Sequence, residues 1–420
     1  MKWDIKMGKT LAIQKYLGKV KDISQLDQTK IDSDFKNVRF SELGDIKIGL
    51  THKPDYIETG VPFLSSKNIS NGYIDFDNIK YISKEKFESM SDSTKPKVGD
   101  ILFTRVGSNL GNPIIVEEEK EFGIFVSLGF FRVKRNIDNR YIKYWMESTH
   151  FWKQVEQKVA GGAKNNLNSN WLKEFKLSIP PLKEQQKIAK ILSTWDEAIE
   201  TTQSLIEKLQ FRKKGLMQEL LSGKKRLAGF SEQWEENNLG GYFTERKETG
   251  LEDLELLSVG KEGVYPQDNS NKKDTSNSNK SKYKRICKGD IGYNTMRMWQ
   301  GRSALSNLEG IVSPAYTILN PKENCDSVFF SHLFKLDDMI HKFYRNSQGM
   351  VSDTWMCKFK DLKIIKFNAP SSLSEQKAIS KIIDLSDIEI SEKKAYLLQL
   401  KNQKKGLMQQ LLTGKKRVKL

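Results

Sequence analysis

Apolar residues recur in steps of four and three along one stretch near the middle of the chain, from Lys183 to Arg226. Its apolar or neutral positions are Ile188, Leu192, Trp195, Ile199, Thr202, Ile206, Leu209, Leu216 and Leu220, and Lys213 fills the one remaining slot. This spacing is typical of a coiled-coil seam. The pattern therefore predicts one long helix through Arg226 that packs on a partner helix.

The same stretch returns near the end of the chain, and the match runs without a gap from Glu184/Glu375 to Arg226/Arg417. Of the 43 aligned positions 20 are identical, including the runs KKGLMQ and GKKR. The seam repeats as Ile379, Ile383, Ile390, Leu397, Leu400, Leu407 and Leu411. The chain is therefore a tandem duplication, and antiparallel packing of the two seams predicts a rod of roughly 40 residues, or about 60 Å.

Short apolar runs broken by Gly, Pro, Asn and Asp begin at Phe40 and predict strands joined by tight turns. Helical spacing follows over Tyr141 to Val159, then a Gly- and Asn-rich loop, and then the strand-like run FKLSIPPL, whose prolines precede the long helix. The second half repeats this order, with SHLFKLDDMIHKFY as its helical stretch. A polar, Lys-rich insertion, Gln267 to Arg285, predicts a loop or disordered arm.

The predicted fold class is α+β, with two strand-rich domains that are each followed by a long helix, the two helices pairing as an antiparallel coiled coil. The predicted segments are an N-terminal arm at 1–36, a first domain at 37–180, a central helix at 181–227, a second domain at 228–370 and a C-terminal helix at 371–420.

Composition narrows the class of partner. Lys plus Arg number 70 against 53 Asp plus Glu, and the net charge of +17 fits a polyanionic partner or a merely solvated, Lys-rich surface. The strand-rich variable domains favour the polyanionic partner. The three cysteines are far apart in the sequence, so neither a zinc site nor a disulfide framework is indicated. The absence of a long apolar run and of a hydrophobic signal core predicts a cytoplasmic protein without a membrane span.

Motifs for bond-making chemistry are missing from the sequence. Gly8-Lys9-Thr10 lacks the upstream glycine of a phosphate-binding loop, and Asn368-Ala369-Pro370 is not the Asn-Pro-Pro-Tyr run of an amino-methyltransferase. Glu118-Glu119-Lys120, with Asp100 ahead of it, has the residue types of a nuclease site. Such triplets arise by chance in any chain rich in Lys and Glu, so we do not assign one here. His52, His150, His332 and His341 form no ligand pattern, and the sequence predicts neither a metal site nor catalysis.

Binding residues are better represented. Glycine-rich turns allow close backbone approach to a duplex, and Arg, Lys, Asn and Gln reach base edges and phosphates; the alternative at each position is an ordinary turn or core residue. The candidates for DNA binding are Lys67, Asn68, Arg105, Ser108, Asn109, Asn112, Lys164, Asn165, Asn166, Tyr293, Asn294, Arg297, Gln300 and Arg302. The candidates for phosphate contacts are Lys272, Lys273, Lys280 and Lys282, together with Lys284 and Arg285.

Two variable domains, each followed by a helix that begins near EQ and closes with KKGLMQ-x-LL-x-GKKR, resemble the DNA-specificity subunit of type I restriction–modification enzymes. KPKVGDILFTRVGSNLG (Lys95 to Gly111) and KGDIGYNTMRMWQG (Lys288 to Gly301) extend the resemblance into both domains. The resemblance implies a non-catalytic chain that reads an asymmetric, two-part target on double-stranded DNA, one domain per half-site.

The resemblance also implies partners: two methyltransferase subunits and two restriction (motor) subunits, with S-adenosylmethionine, ATP and Mg on those partners and no cofactor in this chain. The residues expected to dock them lie in the repeated helix ends and are Lys213, Lys214, Gln218, Lys404, Lys405 and Gln409. The alternatives are a methyltransferase or nuclease that carries its own reader, and a coiled-coil scaffold or RNA-binding protein.

Overall fold

The computed structural model describes residues 35–70, 72–107, 110–159, 166–260, 263–269, 279–350 and 354–420. The chain divides into two compact units: unit 1 comprises residues 1–203 and 396–420, and unit 2 comprises residues 204–395. The predicted segment boundaries stay a prediction, and the N-terminal arm lies almost wholly outside the described residues.

Unit 1 contains eleven strands in its described part, namely β1 (Lys36–Arg39), β2 (Gly44–Ile48), β3 (Val61–Leu64), β4 (Ile69–Ser70), β5 (Tyr73–Ile74), β6 (Lys80–Ile82), β7 (Ile101–Thr104), β8 (Gly111–Ile115), β9 (Gly123–Ile124), β10 (Leu128–Val133) and β11 (Lys176–Ile179). Its helices are α1 (Phe40–Leu43), α2 (Lys84–Ser89), α3 (Asn139–Glu147), α4 (Thr149–Val159), α5 (Ser169–Glu174) and the first part of α6 (Leu182–Leu220).

Unit 2 contains ten strands in its described part, namely β12 (Glu235–Asn238), β13 (Phe243–Glu245), β14 (Leu257–Gly260), β15 (Gly263–Pro266), β16 (Lys284–Ile286), β17 (Ile291–Asn294), β18 (Ser303–Leu305), β19 (Gly310–Val312), β20 (Tyr316–Pro321) and β21 (Lys366–Ala369). Its helices are α7 (Ser327–Leu333), α8 (Asp337–Arg345), α9 (Phe359–Leu362) and most of α10 (Leu373–Leu411), besides the second part of α6.

The duplication seen in the sequence is also a duplication of topology. Unit 1 has an antiparallel four-stranded sheet in the order β2-β10-β7-β8, and unit 2 has β13-β20-β17-β18 in the same order. A two-stranded ribbon accompanies each sheet, β1 with β11 and β12 with β21. All four residues of β7 are buried, as its continuous apolar run predicts. Aromatic side chains fill the core; Phe40, for example, stacks on Phe131 at 4.0 Å.

A buried carboxylate at the start of the third sheet strand recurs with a different partner. Asp100 binds the guanidinium of Arg132 at 2.6 Å, and Asp290 binds that of Arg246 at 2.7 Å. Each aspartate also accepts a backbone N–H three residues earlier at 2.7 Å. The hydrogen bond to the aspartate raises the arginine pKa in both cases. The charge pair is therefore retained although its arginine comes from β10 in unit 1 and from the residue that follows β13 in unit 2.

The predicted helix over Tyr141 to Val159 is wrong in one respect, because it is two helices. Ser148 interrupts it with extended backbone (ψ 154°), and its Oγ accepts a hydrogen bond from the N–H of Phe151 at 3.3 Å. Serine competes with the backbone in this way and starts a new helix. The corresponding stretch of unit 2 breaks at Leu336.

The two long helices run antiparallel in each unit, which confirms the predicted coiled coil. In unit 1, Glu184 near the start of α6 binds Arg417 just beyond α10 at 2.7 Å, and Asp196 binds Lys404 at 2.5 Å. The repeat supplies the same pairs in unit 2, Glu375 with Arg226 at 2.8 Å and Asp387 with Lys213 at 2.5 Å. The seam positions are buried or half-buried throughout.

The helix predicted to continue through Arg226 ends at Leu220. Gly223 has φ +72°, a left-handed conformation that ends helices and favours glycine, and Gly414 repeats it at the end of α10. The chain turns there so that Arg226 and Arg417 reach Glu375 and Glu184 respectively.

Candidate nucleic-acid interface

Glycines flank the turn between β7 and β8 where the backbone conformation and the packing require them. Gly107 and Gly111 have φ +118° and +86°, and a Cβ on Gly111 would lie 2.6 Å from the ring of Trp152. Asn112, at φ +40°, is the one non-glycine residue with positive φ among the described residues. Asparagine tolerates this conformation better than most residues. The Asn112 side chain is exposed at the start of β8, beside this turn.

Each unit brings together two loops that lie far apart in the sequence. In unit 1 the N–H of Leu167 donates to the carbonyl of Arg105 at 2.8 Å, and Val106 bridges Asn166. In unit 2 the N–H of Cys357 donates to the carbonyl of Thr295 at 2.9 Å. The turn after the third sheet strand and the loop before the short helix α5 or α9 therefore form one composite surface in each unit, which we call the turn surface.

Three candidate binding residues are interior, and for them the DNA-contact prediction is wrong. Asn68 is buried, its Oδ1 accepts the N–H of Ser65 at 2.9 Å, and its amide donates to the carbonyl of Asn78 at 3.0 Å. Tyr293 is fully buried in the core of unit 2. A turn rich in Asn and aromatic residues looks the same in sequence whether its side chains point outward or inward.

Arg105 is the third of these residues. Its guanidinium donates to the carbonyls of Leu167 at 3.2 Å and Val126 at 3.0 Å, and burial lowers its pKa. The Nε hydrogen bond to Leu167 therefore ties the two loops of the turn surface together from within, and the guanidinium faces the protein interior.

The remaining candidates differ in exposure. Lys67, Asn112, Lys282, Arg297 and Arg302 are exposed, and Asn166, Lys280, Asn294 and Gln300 are half-buried. The Asn294 Oδ1 accepts the N–H of Met296 at 2.9 Å, so this residue shapes the turn. Ser108, Asn109, Lys164, Asn165, Lys272 and Lys273 lie outside the described residues. The prediction for the exposed side chains stays a prediction.

Lys284 and Arg285, predicted to serve phosphates, already have partners within unit 2, and their predicted phosphate contacts stay a prediction. Lys284 donates to the carbonyl of Tyr316 at 2.8 Å. Arg285 binds Glu248 at 2.7 Å and Glu309 at 2.6 Å. The positive charge of these residues is balanced inside unit 2.

The predicted docking residues also fall into two groups. Lys213 and Lys404 are half-buried and hold Asp387 and Asp196, so they join the helices. The exposed group contains Lys214, Gln218, Lys405 and Gln409.

In unit 1 this exposed face borders a cavity of about 390 Å³ whose lining includes Trp152 and Met408. In unit 2 Phe211 is 81% exposed, an apolar residue off the seam that the sequence analysis missed.

The described residues bring one group of metal-ligand type together, His332 with Asp384 and Asp387, whose ligand atoms lie within 4.8 Å of one another. No spacing in the sequence indicated this group, because the aspartates come from α10. Lys213 already donates to Asp387 at 2.5 Å, so a lysine supplies the opposing charge.

Three side chains of reactive type, Asp100, Cys325 and Cys357, are ion-paired or protonated. Asp100, the carboxylate of the chance nuclease triplet, is buried and ion-paired with Arg132. Burial raises the pKa of the Cys357 thiol to about 12 and that of Cys325 further, so both stay protonated at neutral pH. No helix in the described part of the chain is long and apolar enough to span a membrane.

Known proteins share this arrangement. The family model "Type I restriction modification DNA specificity domain" matches residues 32–210. A putative type I restriction enzyme MjaX specificity subunit from Methanocaldococcus jannaschii is 30% identical over 410 residues, covering 89% of this chain and 91% of that protein. The chain belongs to the family of type I restriction enzyme specificity subunits.

Solved specificity subunits have the same fold. One solved chain comes from a structure that concerns complex assembly and conformational transition of the type I R-M system. It aligns with a TM-score of 0.58 at 16% identity, and the alignment covers 92% of this chain and 100% of that one. The HsdS subunit from Thermoanaerobacter tengcongensis aligns with a TM-score of 0.51 at 16% identity over 92% of this chain and 98% of its own. The fold of a specificity subunit therefore accounts for both strand-rich units and both long helices.

Proposed function

We propose that this specificity subunit binds double-stranded DNA and reads an asymmetric target in two parts, with the turn surface of each unit contacting one half-site. The observation that carries the proposal is the composite turn surface, which occurs in both units with the same backbone connection and with different side chains. Exposed Asn112 lies at the start of β8, directly after this turn in unit 1, and exposed Arg297 and Arg302 lie in the turn of unit 2. Such donors recognise base edges.

The net charge of +17 supports the same proposal, since a duplex carries a dense array of phosphates. Lys67 and Lys282 are exposed and suited to phosphate contacts, which give affinity without sequence discrimination.

The chain itself, on this proposal, makes and breaks no bonds. Two methyltransferase subunits dock on the exposed faces of the repeated helix ends, and two restriction subunits complete the enzyme, with S-adenosylmethionine, ATP and Mg bound by those partners. The support is the internal repeat, which presents Lys214 and Gln218 on one helix and Lys405 and Gln409 on the other.

Footprinting on duplex DNA, with the full chain and its methyltransferase partner, tests the proposal. We expect protection of two short patches separated by an unprotected spacer. We also expect the purified chain alone to neither methylate nor cleave the same duplex. A single continuous patch would contradict the two-part reading, and methylation or cleavage by the chain alone would contradict the non-catalytic role.

A further inference from the structure

Unit 2 carries an aromatic surface that its fold does not require. Trp299 in the turn contacts Trp355 edge to face at 5.5 Å, and Trp355 contacts Tyr344 in the same way at 4.9 Å. Tyr344 and His341 lie nearly parallel on α8, with ring centroids 6.0 Å apart. Tyr344 is 43% exposed, His341 is exposed, and both tryptophans are half-buried. We call these four side chains the aromatic surface.

The internal duplication provides a comparison for this surface. Aligning the first residues of α4 and α8 places the buried Val155 opposite the buried Phe343, so the two helices pack alike. The same alignment places exposed Glu156 opposite Tyr344 and exposed Lys153 opposite His341. Unit 1 therefore builds the same helix packing with charged side chains at these two positions, and packing alone does not explain Tyr344 and His341.

The aromatic surface adjoins the turn surface of unit 2. Trp299 belongs to the turn, and its Nε1 donates to the carbonyl of Met296 at 3.0 Å. The helix α8 packs on this turn, since a Cβ on Gly301 would lie 2.7 Å from the side chain of Ile340. The neighbouring exposed cations, Arg297, Arg302 and Arg345, favour a polyanionic ligand over an apolar protein partner.

We propose that the aromatic surface stacks on a base of the target that has left the helical stack, so that unit 2 distorts its half-site as well as reading it. This inference rests on the proposed DNA-reading function. Exposed aromatic rings bind favourably to another flat π face, such as that of a nucleic-acid base. In an intact duplex the neighbouring bases cover these faces, so a base must leave the stack before it can bind the rings. Proteins that kink DNA likewise place side chains against partially unstacked bases.

The test uses the full chain assembled with its methyltransferase subunits and a duplex that carries its target, identified by methylation mapping. 2-Aminopurine replaces each base of the target in turn, because its fluorescence rises when it is unstacked. We expect one unstacked position in addition to the base that the methyltransferase modifies. Tyr344→Ala and Trp355→Leu should remove that signal and weaken target binding about tenfold, whereas Tyr344→Phe should retain both.

Glu156→Ala is the matched control in unit 1 and should change neither signal, and thermal melts verify that each variant is folded. Target binding without an additional unstacked position, or a signal that survives Tyr344→Ala and Trp355→Leu, would overturn the inference and leave the proposed function intact. Loss of methyltransferase association in these variants, with DNA binding unchanged, would overturn it in favour of a protein contact. Failure of the wild-type assembly to bind any target would overturn the proposed function itself.

Discussion

In each unit a buried ion pair links the start of one long helix to the segment just beyond the end of the other. Glu184 and Glu375 are almost fully buried, and each carboxylate receives two hydrogen bonds from one arginine, Arg417 and Arg226 respectively. Each arginine also lies over an aromatic ring, Phe35 for Arg417 at 5.1 Å and Trp234 for Arg226 at 5.5 Å.

Replacing Arg417 with methionine should strongly destabilise unit 1. The substitution keeps much of the apolar stem but leaves Glu184 charged and buried without its partner, which costs about 3–5 kcal/mol of unfolding free energy. Arg212→Met is the matched control, because the Arg212–Glu389 pair is about half exposed and contributes at most ~1 kcal/mol. Chemical denaturation measures both, and equal losses would show that burial does not set the strength of these pairs.

Substitutions at Arg297 and Lys282 should have different effects, one on the specificity of DNA binding and the other on its affinity. Arg297→Ala should cost about 1–3 kcal/mol on the correct target and relax one base position. Lys282→Ala should weaken binding to all sequences alike and lower the salt slope by at most ~0.9. Binding titrations on target and random duplexes at several salt concentrations distinguish them. Equal loss on both duplexes after Arg297→Ala would make that residue a phosphate contact.

Among the elements, the repeated helix ends use glycine in two roles. Gly223 and Gly414 end the helices in a left-handed conformation, whereas Gly215 and Gly406 lie inside the helices, where an added Cβ would meet no other atom within 4 Å. Glycine within a helix is less stable than alanine by about 1 kcal/mol.

Gly215→Ala and Gly406→Ala should therefore each raise the free energy of unfolding by about 1 kcal/mol. Gly223→Ala should lower it, because its φ is +72° and its Cβ would lie 2.9 Å from the ring of Trp234. Urea denaturation of the three variants measures the signs. Weaker methyltransferase association in the more stable variants would indicate that a partner packs closely on these glycines, and destabilisation by Gly215→Ala would show a packing constraint on the helix.

For the molecule as a whole, the duplicated topology predicts that the two readers are exchangeable. Replacing residues 40–180 with the corresponding domain of a related specificity subunit should change one half of the target and leave the other unchanged, because each unit has its own sheets and core. Genome-wide methylation mapping reads both halves at once. A change in both halves would show that the two units do not read independently.

Local sequence patterns were sufficient for the duplication, the long helices and the family, because these depend on periodicity and on repeated motifs such as KKGLMQ and GKKR. The predicted helix ends were only approximate and the break at Ser148 was not predicted, since an apolar pattern continues through a residue whose backbone conformation has changed.

Which donors face outward depended instead on long-range packing. Arg105 and Arg297 look equivalent in sequence, but the loop carrying Leu167 covers Arg105, whereas Arg297 remains exposed. The same packing assembled Trp299 and Trp355, with Tyr344, into one surface. Solvent exposure depends on what the rest of the chain places over a side chain, and no local pattern contains that information.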